Sequence, residues 1–270
     1  MSEVRIIPAC DGVELQALDA GFAYGFGLFE TIRYEGGRLS FWAEHWQRLK
    51  ASAQVFGIRC DVDEEVVLAG IAELIQLDGL SKSMIKLSLV RRQAAETLFV
   101  YARPLSEAPR EVSLKVEERF PINPQSMLAG HKTHNYMEHF AILETAKSDG
   151  FYDAIRLDTA GFLAETTIGN LFFFRGDKLF TPSMEQGILP GVIRGQLLQL
   201  VDVSVGAYEP ERLMGADAVL MTNSGSGILP VSRVSHAGVE QVFQSAAHPV
   251  VEKLRQRLLE LNAASGTAVH

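Results

Sequence analysis

Cysteine is scarce in this 270-residue chain, which holds only Cys10 and Cys60. So few thiols exclude a disulfide framework, and the absence of any Cys-x-x-Cys pair argues against a zinc or dithiol redox site; a reducing cytoplasm fits best. Long apolar runs are missing as well. No stretch reaches the ~18 apolar residues of a membrane span, and "MSEVRIIPACDG" has no basic segment followed by an apolar one, so neither export nor membrane insertion is expected. Positive charge is also short: 25 Lys and Arg stand against 33 Asp and Glu, for a net charge of -8. That balance excludes broad contact with nucleic acid or an anionic membrane, whose affinity comes from a basic face. Low-complexity tracts and fixed-period repeats are absent.

What is present reads as globular. The composition is 47% hydrophobic and 21% charged, and a chain of this length buries roughly 75% of its unfolded surface as one large domain or two. "GLFETIRYEGGRLSF" flanks Gly36-Gly37 with β-branched and aromatic residues, a hairpin signature. "FWAEHWQRLKASAQVF" then spaces Trp42, Trp46, Leu49, Ala53 and Phe56 at helical intervals. "DVDEEVVLAGIAELIQLDG" opens with acids and closes at Gly79 as a second helix. "SMIKLSLVRR", "ETLFVYARPL" and "EVSLKVEE" read as strands.

"RFPINPQSMLAG" has prolines and turn formers but no period, which suggests a domain boundary near residue 120. We expect a smaller N-terminal α/β domain over 1–119 and a larger domain over 120–270. The latter predicts a helix over Met137 to Ser148, strands at "DAIRLD" and "NLFFFRGDKLFTP" (turning at Gly176-Asp177), and a helix from "PGVIRGQLLQLV". Strands at "DAVLMTN" and "GILPVSRV" follow, then a helix from Pro249 with Val250, Leu254, Leu258 and Leu261 on one face.

The chemistry concentrates in "GHKTHNYMEHF", where Lys132, one of eight lysines, sits among His131, His134, Asn135 and Tyr136. Histidines spaced by three and five residues do not match the i, i+4 spacing of a helical zinc site, so no metal is expected. Two anion-binding turns accompany the lysine. "GILPGVIRGQ" places Gly187, Pro190 and Gly191 before a helix whose Val192 and Ile193 amides can bind an oxyanion. "MTNSGSGILP" offers Thr222, Asn223, Ser224 and Gly225 in a turn after a strand. A reactive amine with two phosphate-binding turns suggests pyridoxal phosphate. Each feature alone has an ordinary alternative: a solvated lysine, and two plain turns.

Six blocks in order resemble the class IV, or fold type IV, pyridoxal-phosphate enzymes, which include branched-chain and D-amino-acid aminotransferases and aminodeoxychorismate lyases. They are "DAGFAYGFGLFETIR", "HWQRL", "HKTHNY", "LAETTIGNLFF", "GILPGVIR" and "TNSGSGILPV". The resemblance implies a mixed α+β and α/β, two-domain fold like that of D-amino-acid aminotransferase, pyridoxal 5'-phosphate at the domain interface, and a homodimer acting on a small-molecule amine. It implies Lys132 as the Schiff-base lysine and Glu165 as the carboxylate facing the pyridine nitrogen. Arg48, Leu189, Val192, Ile193 and Ser224 are implied around the phosphate and ring, and Tyr136 at the phenolic oxygen, although its spacing from the lysine is one shorter than in branched-chain enzymes. Taken without the family, Glu165 reads as a cap before "TTIGN", and Glu30 as a structural strand residue between Phe29 and Thr31.

The resemblance also narrows the reaction. Branched-chain enzymes usually show "FEG.R" where this chain has "FETIR", and D-amino-acid enzymes carry an Arg-x-His pair that Arg103 lacks here. "FET.R", "HK..NY" and "TN" match the lyases, so the expected activity is 4-amino-4-deoxychorismate lyase, yielding 4-aminobenzoate and pyruvate for folate synthesis. A D- or branched-chain aminotransferase is the alternative, and a pyridoxal-phosphate-binding protein without turnover the third reading. Candidate substrate contacts are Phe29, Thr31, Arg33, Lys86, Arg91, His134, Asn223 and Gly225, with Arg33, Lys86 and Arg91 as carboxylate holders.

Overall fold

Gly36 and Gly37 both adopt positive φ, 60° and 76°, the conformation a two-residue hairpin turn requires. They join β2 (Gly27–Glu35) to β3 (Arg38–Leu39), as the sequence predicts. The protein was analysed as a computed structural model that describes residues 2–9, 19–93 and 95–269; Cys10 lies outside them. By packing the chain forms two units. The first comprises Met1–Ser106, His131–Asn135 and Asn262–His270, and the second Glu107–Gly130 and Tyr136–Leu261.

The first unit adds β1 (Glu3–Ile7) and α1 (Ala20–Tyr24) before the hairpin. After it come α2 (Trp42–Val55), α3 (Glu64–Leu77), β4 (Lys82–Val90) and β5 (Thr97–Arg103). Its six-stranded sheet runs β1-β5-β4-β2-β3 and ends on the short C-terminal strand Thr267–Ala268. Only the β1–β5 pairing is parallel. Alternation along β2 sends Leu28, Ile32 and Tyr34 into a core with Trp42, Trp46 and Leu49 of α2 and Val67, Ile71 and Leu74 of α3. Phe29, Thr31 and Arg33 take the other face. Cross-strand pairing places Ser88, Lys86 and Met84 of β4 opposite them, and Phe99, Tyr101 and Arg103 of β5 beyond.

The second unit contains β6 (Val112–Ile122), α4 (Met137–Ser148), β7 (Asp153–Asp158), β8 (Leu163–Thr166), β9 (Asn170–Arg175) and β10 (Lys178–Pro182). Then follow α5 (Val192–Leu200), β11 (Val203–Gly206), α6 (Pro210–Met214), β12 (Ala218–Asn223), β13 (Gly227–His236), β14 (Val239–Val242) and α7 (Pro249–Ser265). The strands run β9-β12-β13-β6-β7-β8, and β8 pairs back to β9 through Glu165 and Asn170, which closes a barrel. β10 and β11 continue from β9. Leu114, Ile155, Leu163, Leu171, Phe173, Met221 and Leu229 are among the residues of its core.

Two details depart from the sequence reading. The division by packing falls at Ser106/Glu107 rather than after 119, because β6 crosses that point and pairs with β7 and β13. The buried stripe of α7 is Val251, Leu254 and Leu258, rather than one including Val250 and Leu261.

Candidate active site

In the first unit, residues 131–135 run antiparallel beside the start of β2. Phe29 N donates to Lys132 O (2.9 Å), His134 N donates to Gly27 O (2.9 Å), and Leu28 bridges Thr133. This extended register alternates the side chains. His131 and Thr133 point to the α2 side; Lys132 and His134 share the face of Phe29 and Thr31.

The two faces differ in chemistry. On the open face, Lys132 Nζ lies 4.4 Å from the centre of the Phe29 ring, and Lys86 Nζ lies 4.0 Å from the same centre. Lys86 also donates to Thr31 Oγ1 at 2.8 Å. Burial, and then the charges of Lys132 and Arg103, push its amine down to about 7 against the opposing pull of Glu30. His134 Nε2 sits 2.8 Å from Ser88 Oγ. Its imidazole is pushed down to about 4, by burial first and then by Lys86. A Cβ on Gly27 would lie 2.6 Å from His134 Nδ1 and 2.9 Å from Leu89 O, so only glycine leaves room for that ring. A cavity of about 500 Å³ lined by Ser88, Phe99, Tyr101, His134, Phe22 and Arg92 continues the face, a volume suited to a small organic ligand.

On the α2 side, Glu30 breaks the apolar pattern at 1% exposure. Arg48 Nε and Nη2 donate to its two oxygens at 2.7 and 2.6 Å, and His45 Nδ1 lies 2.6 Å from Oε2. Burial would raise the carboxyl, but the Arg48 charge, then His45, holds it well below the usual carboxylate range. Burial holds the His45 imidazole low, so it is neutral and donates through Nδ1. This buried triad was missed when Glu30 was read as a plain strand residue. Parity was the available signal: an acid at a core-facing position needs partners, and "HWQR" supplies them three residues apart.

In the second unit, Glu165 lies on β8 at 7% exposure. Its Oε2 accepts from Asn170 Nδ2 (3.0 Å) and Leu189 N (3.1 Å), while Asn170 Nδ2 also donates to Leu189 O (2.9 Å). Donors of this kind favour the ionised form. A Cβ on Gly191 would fall 1.8 Å from Asn170 Oδ1. Gly191 therefore lets the loop close on Asn170, and it also caps α5 with no side-chain bond. The first amides of that helix, at Val192 and Ile193, have no acceptor within the helix. In the β12–β13 turn, Asn223 Oδ1 accepts from Gly225 N (3.1 Å) and Ser226 N (2.8 Å), which folds the backbone around Ser224. Tyr136 stacks on His139 with centroids 4.4 Å apart.

The remaining candidates have other partners. Arg33 pairs with Glu35 at 2.6 Å, and Arg91 donates to Gly57 O and covers the Phe26 ring at 4.2 Å. The histidines also diverge, since His131 bonds Ser52 Oγ (2.9 Å) and His139 bonds Thr167 O (3.2 Å).

The residues present fit pyridoxal phosphate. The first unit has an amine against an aromatic ring and a fixed guanidinium; the second has an acceptor carboxylate with two donors on one oxygen and a helix start shaped by Gly191. Comparison with known proteins agrees. A family model described as amino-transferase class IV matches residues 27–234, and the chain belongs to that family of pyridoxal-phosphate enzymes. It is 33% identical over 241 residues to an aminodeoxychorismate lyase of Vibrio harveyi, covering 80% of this chain and 86% of that one. A D-alanine aminotransferase of Bacillus licheniformis is 24% identical, covering 93% and 92%. Among solved structures, a Legionella pneumophila protein provisionally named 4-amino-4-deoxychorismate lyase matches with a TM-score of 0.83 and 30% identity, over 95% of this chain and 98% of that one.

Proposed function

We propose that the chain is a pyridoxal-phosphate-dependent 4-amino-4-deoxychorismate lyase. The observation that carries this reading is the sheet face itself, where Lys132, Lys86 and Thr31 gather at Phe29, while Arg103 has no histidine two residues away to form an aminotransferase-type carboxylate clamp. Similarity to the Vibrio and Legionella proteins supports it.

When bound, the cofactor supplies an aldehyde that takes up the substrate amine and a ring that draws electrons from the neighbouring carbon. The chain's own groups do the rest. Lys132 is the amine placed to hold the aldehyde, and once displaced it removes the proton from the amine-bearing carbon. Glu165, kept ionised by Asn170 and Leu189, holds a proton on the ring nitrogen. Arg48 has five N–H donors, so its bonds to Glu30 leave it able to bind phosphate together with the Val192 and Ile193 amides and Ser224. Tyr136 serves the phenolic oxygen.

The test offers the purified, cofactor-loaded protein 4-amino-4-deoxychorismate, then separately D-alanine or L-leucine with 2-oxoglutarate. 4-Aminobenzoate with pyruvate supports the lyase; glutamate without them supports an aminotransferase. We also propose a cytoplasmic homodimer, for which exposed Phe22 and Tyr24 on α1 and Met137 and Phe140 on α4 supply apolar surface. Sedimentation reads its mass.

A further inference from the structure

Lys86 is the second amine on the open face, and its surroundings are unusual for a lysine. It is 9% exposed, and among the described residues it forms no ion pair. Glu30, the acid acting on it, belongs to the other face of β2 and is engaged by Arg48 and His45. The hydrogen bond from Lys86 Nζ goes to Thr31 Oγ1, on a side chain that is only half-buried. An ammonium thus sits behind a hydroxyl, both beside the ring that Lys132 contacts.

We propose that Lys86 and Thr31 form a proton relay that protonates the departing oxygen of the substrate. The assignment rests on the lyase reading above and adds the source of the second proton. Lys132 takes the proton from the amine-bearing carbon. The electron pair of that C–H bond becomes part of the new aromatic ring as the adjacent C–O bond breaks, its own pair leaving on oxygen. Thr31 gives its hydroxyl proton to that oxygen, and the Lys86 ammonium returns one to Thr31. The products are 4-aminobenzoate and the enol of pyruvate, which becomes pyruvate by shifting a proton to carbon. Lys132 then holds one proton more and Lys86 one fewer, and exchange with water restores both. No oxidant or reductant is needed.

The arrangement suits the task because the two amines need opposite states, Lys132 neutral and Lys86 charged. Like charges at close range push titrations apart, and burial brings Lys86 near neutrality, where a general acid is most effective. The groups facing it are Lys132 and His134 from residues 131–135, Glu30 and Thr31 from β2, and Tyr101 and Arg103 from β5. His134 titrates near 4 and Tyr101 above its ordinary range, so neither gives a transition near 7.

The experiment compares the wild type with K86R, K86M and T31V, each loaded with cofactor as judged by absorbance. K86R keeps the charge but cannot release its proton. A relay predicts kcat reduced about 100-fold in K86R and K86M with KM changed less than about threefold, and loss of the alkaline decline that the wild type shows above about pH 7. Unreacted substrate recovered from T31V or K86M in D2O should carry deuterium on the amine-bearing carbon, because proton removal continues while departure stalls. Independently of turnover, lysine 13Cε NMR, assigned by the signal missing from K86R, should show Lys86 titrating near 7.

Normal kcat in K86R with only KM altered would make Lys86 a carboxylate holder and overturn the relay. So would a Lys86 midpoint near that of an ordinary lysine. Failure of the wild type to form 4-aminobenzoate would overturn the lyase reading and the relay with it; product formation with unaffected variants overturns the relay alone.

Discussion

Glu30 grips Arg48 through two hydrogen bonds of 2.7 and 2.6 Å in a setting almost closed to water. One carboxylate therefore fixes a guanidinium in both position and plane. Breaking a buried charge pair from one side typically destabilises by about 3–5 kcal/mol. E30Q should lower the melting temperature and weaken pyridoxal-phosphate retention about tenfold or more, measured by absorbance during dialysis. R48A should weaken retention as well, and unchanged affinity in both variants would move the phosphate elsewhere.

Lys132→Ala should abolish covalent retention of the cofactor and nearly all turnover. Borohydride reduction followed by peptide mapping of the wild type should mark the peptide containing residue 132. A label on another lysine ends the assignment.

Glu165→Gln should leave cofactor uptake nearly intact and lower kcat by about 100-fold or more, since a neutral amide does not hold the ring-nitrogen proton. Gly191→Ala attacks the same group indirectly. Its Cβ would displace Asn170, removing a donor from Glu165 and shifting the cofactor's absorption band. Wild-type spectra in both variants would disprove this account of the carboxylate.

Acid should destabilise the fold in a defined window through His134, whose folded-state pKa of about 4 lies below its ordinary 6.5. The unfolded chain binds the extra proton first, so stability is full above about 6.5 and is lost as pH falls towards 4, by ~3 kcal/mol at most. Denaturant melts of H134Q should show a shallower fall across that interval.

The local elements were legible where period and turn chemistry agree. α2 was marked by paired tryptophans on one stripe and the first hairpin by two glycines. The short strand carrying Glu165 was not, because β8 has four residues, all buried, and no alternation to betray it. Ordered motifs could name Lys132 and Glu165, but they could not show that Lys86 shares Phe29 with Lys132, since that depends on the β2–β4 register. Arg33 and Arg91 matched Lys86 in charge, yet only packing shows that each has a different engagement.

The five residues around Lys132 belong with the first unit although Gly130 and Tyr136, on either side, belong with the second. The first unit is thus assembled from three separated stretches, the last being the C-terminal residues from Asn262 onward. During synthesis, β2 must wait for the chain past residue 135 before its edge beside Lys132 is covered, and the sheet's final strand arrives last of all. Cutting the gene once, at 106 or at 119, would yield two incomplete fragments rather than two independent domains.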